Sequence, residues 1–132
     1  MKKTGILNRH LAGALARLGH TDRVVVCDAG LPIPDGPHGP HVVDLAFRAG
    51  VPRFSEVLDG LLGELEIEGA TAAAEVRDSN PETSALLEGL FPDLVLVPHE
   101  ALKTLTREAR LVVRTGEVRP YANVILHCGV PF

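Results

Sequence analysis

Short valine-rich runs alternate along the chain with segments whose apolar residues recur every three or four positions. Arg23 to Cys27 is the clearest run. Its three consecutive valines have no polar alternation, which suits a strand covered on both faces, as in a parallel sheet. Ahead of it, Leu11, Leu15 and Leu18 fall at helical spacing behind Asn8, a good cap, and Gly19 offers a residue for a left-handed C-terminal turn. His41 to Ala46 reads as a second strand. Phe54, Val57, Leu58, Leu61, Leu62 and Leu65 line one face of a helix over Ser55 to Leu65, with Ser55 as its cap. Glu66 to Val76 alternates imperfectly and is read as a strand. Asn80-Pro81-Glu82 combines a cap, a residue pre-set for the first helical position and an acid for the first turn, and so starts a helix that runs to about Leu90. Leu94 to Val97, a short helix over Glu100 to Arg107, and strands at Leu111 to Val113 and Asn123 to Cys128 complete the pattern. Between the first two strands, Ala29 to Pro40 holds so many prolines and glycines that regular structure is excluded.

Strands alternating with helices throughout predict an α/β fold: one layered domain over 1–132, with a largely parallel central sheet flanked by helices. A chain of 132 residues supports one core, with a surface that is large for its volume. Its 45% hydrophobic content and mean hydropathy of +0.16 therefore suggest that neighbouring subunits cover part of that surface. The net charge of -4, with Lys and Arg scattered, gives no footprint for a nucleic-acid partner. Lys2 and Lys3 are not followed by an apolar run long enough for a signal or a membrane span, so a cytoplasmic location and no membrane partner are expected. Cys27 and Cys128 lie in apolar segments and read as buried thiols.

Polar groups recur at the ends of these elements: His20, Asp28 and His99, with Tyr121 and Asn123 beside the last strand. An imidazole both gives and takes protons near neutrality, a carboxylate orients it or accepts from hydroxyls, and Tyr and Asn hydrogen-bond hydroxyls well. The set fits a small, neutral, polyhydroxylated ligand and proton transfer. The bland alternatives are a His placed at the negative end of a helix and an Asp that merely forms a turn. His38, His41 and Asp44 have a metal-like spacing but lack a closed ligand set, so no metal site is expected. There is no phosphate-binding glycine loop, no Gly-x-Ser-x-Gly elbow and no Cys-x-x-Cys.

Several separated motifs occur in one order: Gly19-His20-Thr21-Asp22, Val25-Val26-Cys27-Asp28-Ala29-Gly30-Leu31-Pro32-Ile33-Pro34, Gly50-Val51-Pro52, Arg114-Thr115-Gly116-Glu117 and Pro120-Tyr121-Ala122-Asn123-Val124-Ile125-Leu126. In these the chain resembles the ribose pyranase and fucose mutarotase family over essentially its full length, with Gly-His-Thr-Asp and Asp-Ala-Gly-Leu-Pro pointing to the ribose branch. The Pro37–His41 loop departs from the family's usual polar residues. The resemblance implies a cofactor-free isomerase that interconverts β-D-ribopyranose and β-D-ribofuranose in ribose utilisation. L-fucose mutarotation and non-catalytic sugar binding are the alternatives. It also implies His20 as proton donor, with Asp28, His99, Tyr121, Ala122 and Asn123 contacting the sugar. The implied assembly is a homo-oligomer, commonly a decamer of two stacked pentamers, with sites completed across subunit boundaries.

Overall fold

A computed structural model describes all residues from Met1 to Phe132. In chain order the elements are α1 (Arg9–Leu15), β1 (Arg23–Cys27), β2 (His41–Asp44), α2 (Phe54–Leu62), β3 (Ile67–Ala73), α3 (Val76–Ser79), α4 (Pro81–Leu90), β4 (Val95–Val97), α5 (His99–Thr106), β5 (Leu111–Arg114) and β6 (Val124–Cys128). The strands form one sheet in the order β2-β5-β1-β6-β3-β4. The pairs β2–β5, β5–β1 and β3–β4 are parallel, while β6 runs against both of its neighbours, β1 and β3. The sheet is thus mixed but mostly parallel, in a single α/β domain of three layers.

The valine run explains the layering. Successive side chains of a strand point to opposite faces. Val24 and Val26 join the larger core with Leu11, Leu15, Phe54, Leu58, Leu61 and Leu87, on the side covered by α1, α2 and α4. Val25 and Cys27 join the smaller core with Leu31, Leu102, Ala109, Val112 and Ile125, on the side covered by α5. All four are fully buried, and each valine taken out of water contributes roughly 1.5–3 kcal/mol. Burial, followed by the charge of Asp28, pushes the Cys27 thiol up to about 12, so it stays protonated and inert, as expected of a core thiol.

Capping follows the sequence in part. Asn8 Oδ1 accepts from Leu11 N at 2.9 Å, and Asn80 Oδ1 accepts from Thr83 N at 3.2 Å. Three local expectations are corrected. Gly19 is not left-handed: α1 ends at Leu15, and the left-handed residue before β1 is Thr21, with φ 71°. Ser55 does not cap α2; the helix starts one residue earlier, and Glu56 Oε2 accepts from Arg53 N at 3.0 Å. The segment read as one strand over Glu66 to Val76 stops at Ala73 and then turns into the short helix α3.

One glycine is fixed by close approach. Gly116 N donates to Pro52 O at 2.9 Å and Gly116 O accepts from Gly50 N at 2.6 Å, so two loops lie backbone against backbone. A methyl group at position 116 would overlap the Val51 and Arg48 carbonyls, which are backbone atoms and cannot swing away. Gly116→Ala should therefore lower the stability of the fold by about 3 kcal/mol or more. Urea unfolding of the variant beside the parent measures this.

Candidate functional site

His20 sits at the tip of a tight turn between α1 and β1. Each residue of Gly19-His20-Thr21-Asp22 has a part in it. Asp22 Oδ2 accepts from Gly19 N at 2.8 Å, Asp22 N donates to Gly19 O at 3.2 Å, and Thr21 N donates to Cys128 O at 3.0 Å. The non-glycine Thr21 is held left-handed by these contacts, a conformation that costs energy unless its surroundings impose it. The imidazole is thereby thrust outward, half exposed, with Nε2 3.2 Å from Glu68 Oε2. It lines a groove of about 590 Å³ with Leu15, Leu62, Cys128 and the C-terminal Phe132.

Asp28 lies at the other end of β1, where the chain leaves the sheet. It is almost fully buried yet fully engaged. Oδ1 accepts from Gly30 N at 2.9 Å and Oδ2 accepts from Asn123 Nδ2 at 3.0 Å, while Asn123 Oδ1 accepts from Asp28 N at 2.9 Å. Burial pushes the Asp28 carboxyl above its ordinary range, against the hydrogen bonds from Gly30, Asn123 and Leu31. Tyr121 reaches the same place through a left-handed backbone, φ 57°. Asn80 Nδ2 holds that turn by donating to Pro120 O at 3.0 Å. The ring of His99 meets Tyr121 edge-on, 5.0 Å between centroids. Asp28, Gly30, Leu31, His99, Val118 and Tyr121 line a cleft of about 470 Å³, within the usual size range of small-molecule sites.

Behind the cleft lies a charged frame. Arg114 donates from Nε and Nη2 to Ala29 O and from Nη1 to Asp44, and Thr115 Oγ1 donates to Cys27 O at 2.8 Å. Glu117 is buried. Left alone, burial would raise its carboxyl, but donation from the Arg119 side chain and backbone and from Phe54 N outweighs this and holds it low. Glu75 accepts His99 N on both oxygens, at 3.0 and 3.1 Å.

One chain therefore brings Asp28, His99 and Tyr121 together and leaves His20 out. The five residues of β1 separate the His20 turn from the Asp28 cleft, about 17 Å of strand at about 3.3 Å per residue. Asn123 spends its amide on Asp28, and Ala122 is fully buried with its methyl in the larger core, so Ala122 can offer a ligand only its backbone. His38, His41 and Asp44 form no metal-holding cluster. Glu68 and Glu75 are not legible as site residues in the sequence, because their partners lie 48 and 24 positions off along the chain; Arg119 pairs with Glu117 two positions away and with Glu82 at 37. Glu117 stands inside a motif, and that is the one available signal.

The sequence profile of the RbsD / FucU transport protein family matches residues 1–131. D-ribose pyranase of Streptomyces coelicolor is 73% identical over the whole of both chains, and D-ribose pyranase of Bacillus subtilis is 48% identical, again over the whole of both. Among solved structures, Bacillus subtilis RbsD complexed with D-ribose superposes with a TM-score of 0.93 at 48% identity, covering all of both chains. The fucose mutarotase of Streptococcus pneumoniae, in complex with L-fucose, gives 0.78 at 22% identity over 96% of this chain and 95% of that one, a likeness of fold.

Asn123→Ala would strip partners from both Asp28 N and Asp28 Oδ2, two buried groups, and should cost about 2–4 kcal/mol in urea unfolding. It should also push the Asp28 carboxyl still higher. A carboxyl raised above its unfolded value of about 3.9 stabilises the fold in acid, and that contribution is lost as pH rises through the folded value. The variant should accordingly fall further behind the parent at neutrality than in acid, and urea midpoints under the two conditions measure the difference.

Proposed function

The chain belongs to the RbsD / FucU transport protein family, and from that premise we propose that it is a D-ribose pyranase, an isomerase that interconverts β-D-ribopyranose and β-D-ribofuranose in ribose utilisation. The observation that carries this reading is that the whole chain keeps the fold of the ribose-complexed relative while its own cleft presents Asp28, His99 and Tyr121. A buried, hydrogen-bonded carboxylate, an imidazole and a phenol are the groups that recognise the hydroxyls of an uncharged sugar. Exchange of ring size opens a hemiacetal. A base takes the proton of the anomeric hydroxyl, an acid protonates the ring oxygen, and the free aldehyde closes again through a different hydroxyl. The bond already opens slowly in water, so placed acid and base groups, each worth roughly 10² to 10⁴, suffice without a cofactor.

His20 is the acid in this reading, and it comes from a neighbouring copy. Within one chain it is on the wrong end of β1. Both ends of the strand carry exposed apolar side chains: Val118, 63% exposed, on the cleft rim, and Phe132, fully exposed, beside His20. Joining the His20 end of one copy to the cleft of the next pairs two different surfaces, and a repeated contact of this kind builds a ring when the rotation between copies closes. We assign the assembly as a decamer of two pentameric rings, located in the cytoplasm. No helix is long and apolar enough to cross a membrane.

Magnetisation-transfer NMR on ribose reads the exchange directly, and L-fucose run alongside separates the two sugar specificities. His20→Ala and Asp28→Asn should each reduce ribose exchange about 100-fold or more. When equal amounts of the two variants are assembled together, about a quarter of the interfaces combine an intact His20 with an intact cleft, so activity should return to about that fraction of the parent's. A site contained within one chain would give no recovery. Undiminished exchange in His20→Ala removes His20 from the mechanism, and a parent that leaves the exchange at its solution rate is a binding module.

A further inference from the structure

His99 Nδ1 is the one buried side-chain nitrogen or oxygen in the chain that has no hydrogen-bond partner. The other ring nitrogen, Nε2, is also unbonded but is not sealed off, and the residue lines the Asp28 cleft. A buried, orphaned nitrogen is costly and asks what fixes its protonation. The nearest answer is Glu75. His99 opens α5, and Pro98 before it offers no side-chain cap. The carboxylate of Glu75 supplies one from 24 residues upstream, with both oxygens on His99 N. Only four covalent bonds separate that amide nitrogen from Nδ1, so the anion is held close to the ring and acts on it through its charge without bonding to it. An anion held this close to the amide end of the residue favours a proton on Nδ1, the ring nitrogen fewest bonds from it, over a lone pair there.

We propose that Glu75 is a positioning residue that keeps the His99 proton on Nδ1, leaving the Nε2 lone pair toward the cleft as the base that takes the anomeric proton. The inference rests on the sugar-isomerase reading and assigns the second proton carrier that ring opening requires. Nε2 takes the hydroxyl proton, C1 becomes the aldehyde carbon, and the bond from C1 to the ring oxygen breaks with its electron pair going to that oxygen. The ring oxygen takes a proton from His20 of a neighbouring copy. Closure on the other hydroxyl returns its proton to that His20, while the aldehyde oxygen recovers one from His99, so both imidazoles end as they began.

The other charged groups around His99 have partners of their own, and of these Asp28 also acts on the ring through its charge. Asp28 is held by Gly30 N and Asn123 Nδ2; Glu117 pairs with Arg119; Glu100 pairs with Lys103 at 2.7 Å. Tyr121 packs edge-on, at 84° between planes, and fixes the tilt of the ring. Donation from His99 N also holds the Glu75 carboxyl below its ordinary range, so it is an anion where the imidazole works.

The test is ¹⁵N NMR of the protein labelled at its 6 histidines, with the His99 signals identified by their loss in His99→Gln. The expected result is a neutral ring protonated on Nδ1. Glu75→Gln keeps an oxygen for the helix cap and removes the charge. It should shift His99 toward the Nε2–H form and lower the saturating exchange rate about 10- to 100-fold, while the half-saturating ribose concentration changes less than about 3-fold. Glu75→Asp should recover part of the rate. A parent ring protonated on Nε2, or a Glu75→Gln protein that matches the parent in both tautomer and rate, overturns the assignment. Because the tautomer is read without substrate, its result is independent of whether ribose is the sugar; a parent that exchanges no ribose overturns the functional reading instead.

Discussion

The reciprocal pair of hydrogen bonds between Asp28 and Asn123 is the constraint on which the cleft depends. A carboxylate out of water is tolerated only when its lone pairs are met. Here they are met by the first residue after β1 folding back through Gly30, and by the residue just before β6. Because β1 and β6 are antiparallel neighbours, this stitch fixes where one strand ends and the other begins. Tyr121, two residues upstream of Asn123, then has little choice of direction, and its left-handed backbone is the local cost of pointing into the cleft.

The same strand keeps the His20 turn and the Asp28 cleft apart within one chain. β1 is a rigid spacer with the proton-bearing turn at one end and the carboxylate at the other. No side-chain rearrangement closes a gap of several residues along a buried strand. Chemistry that needs both ends must take them from two copies, which gives a physical use for the apolar residues that a chain of this size leaves uncovered.

Much of this is legible in the sequence where the cause is local. An unbroken valine run, Asn8 and Asn80-Pro81 specify a doubly buried strand and two helix starts, and all three are found. Local rules fail where a distant partner decides. Gly19 has the freedom to be left-handed, but the ties of Thr21 and Asp22 to Cys128 place the strain on Thr21 instead. Glu56, not Ser55, satisfies the start of α2, and α3 forms where the sheet has no further neighbour to offer. The residue types of the site can be read from the chain, but its geometry cannot. Asn123 reads as a hydroxyl binder, and its amide is also tied to a carboxylate 95 residues away, which no local pattern announces. Glu75 has no local signature, because its donor lies 24 positions off, while Glu117 joins near donors on Val118 and Arg119 to Phe54 N, 63 positions away.

The strand order leaves β2 and β4 as the margins of the sheet. Both are brief, four and three residues, and prolines bracket them: Pro40 stands before β2, and Pro92 and Pro98 flank β4. Asp44, at the end of β2, is further tied down by Arg114. Such rims are poor templates for an incoming strand, so β-augmentation and fibrillar stacking are disfavoured even though Val42 and Val95 lie exposed on them. Apolar side chains at the ends of the strands can then meet another molecule with less hazard of runaway pairing along the sides of the sheet.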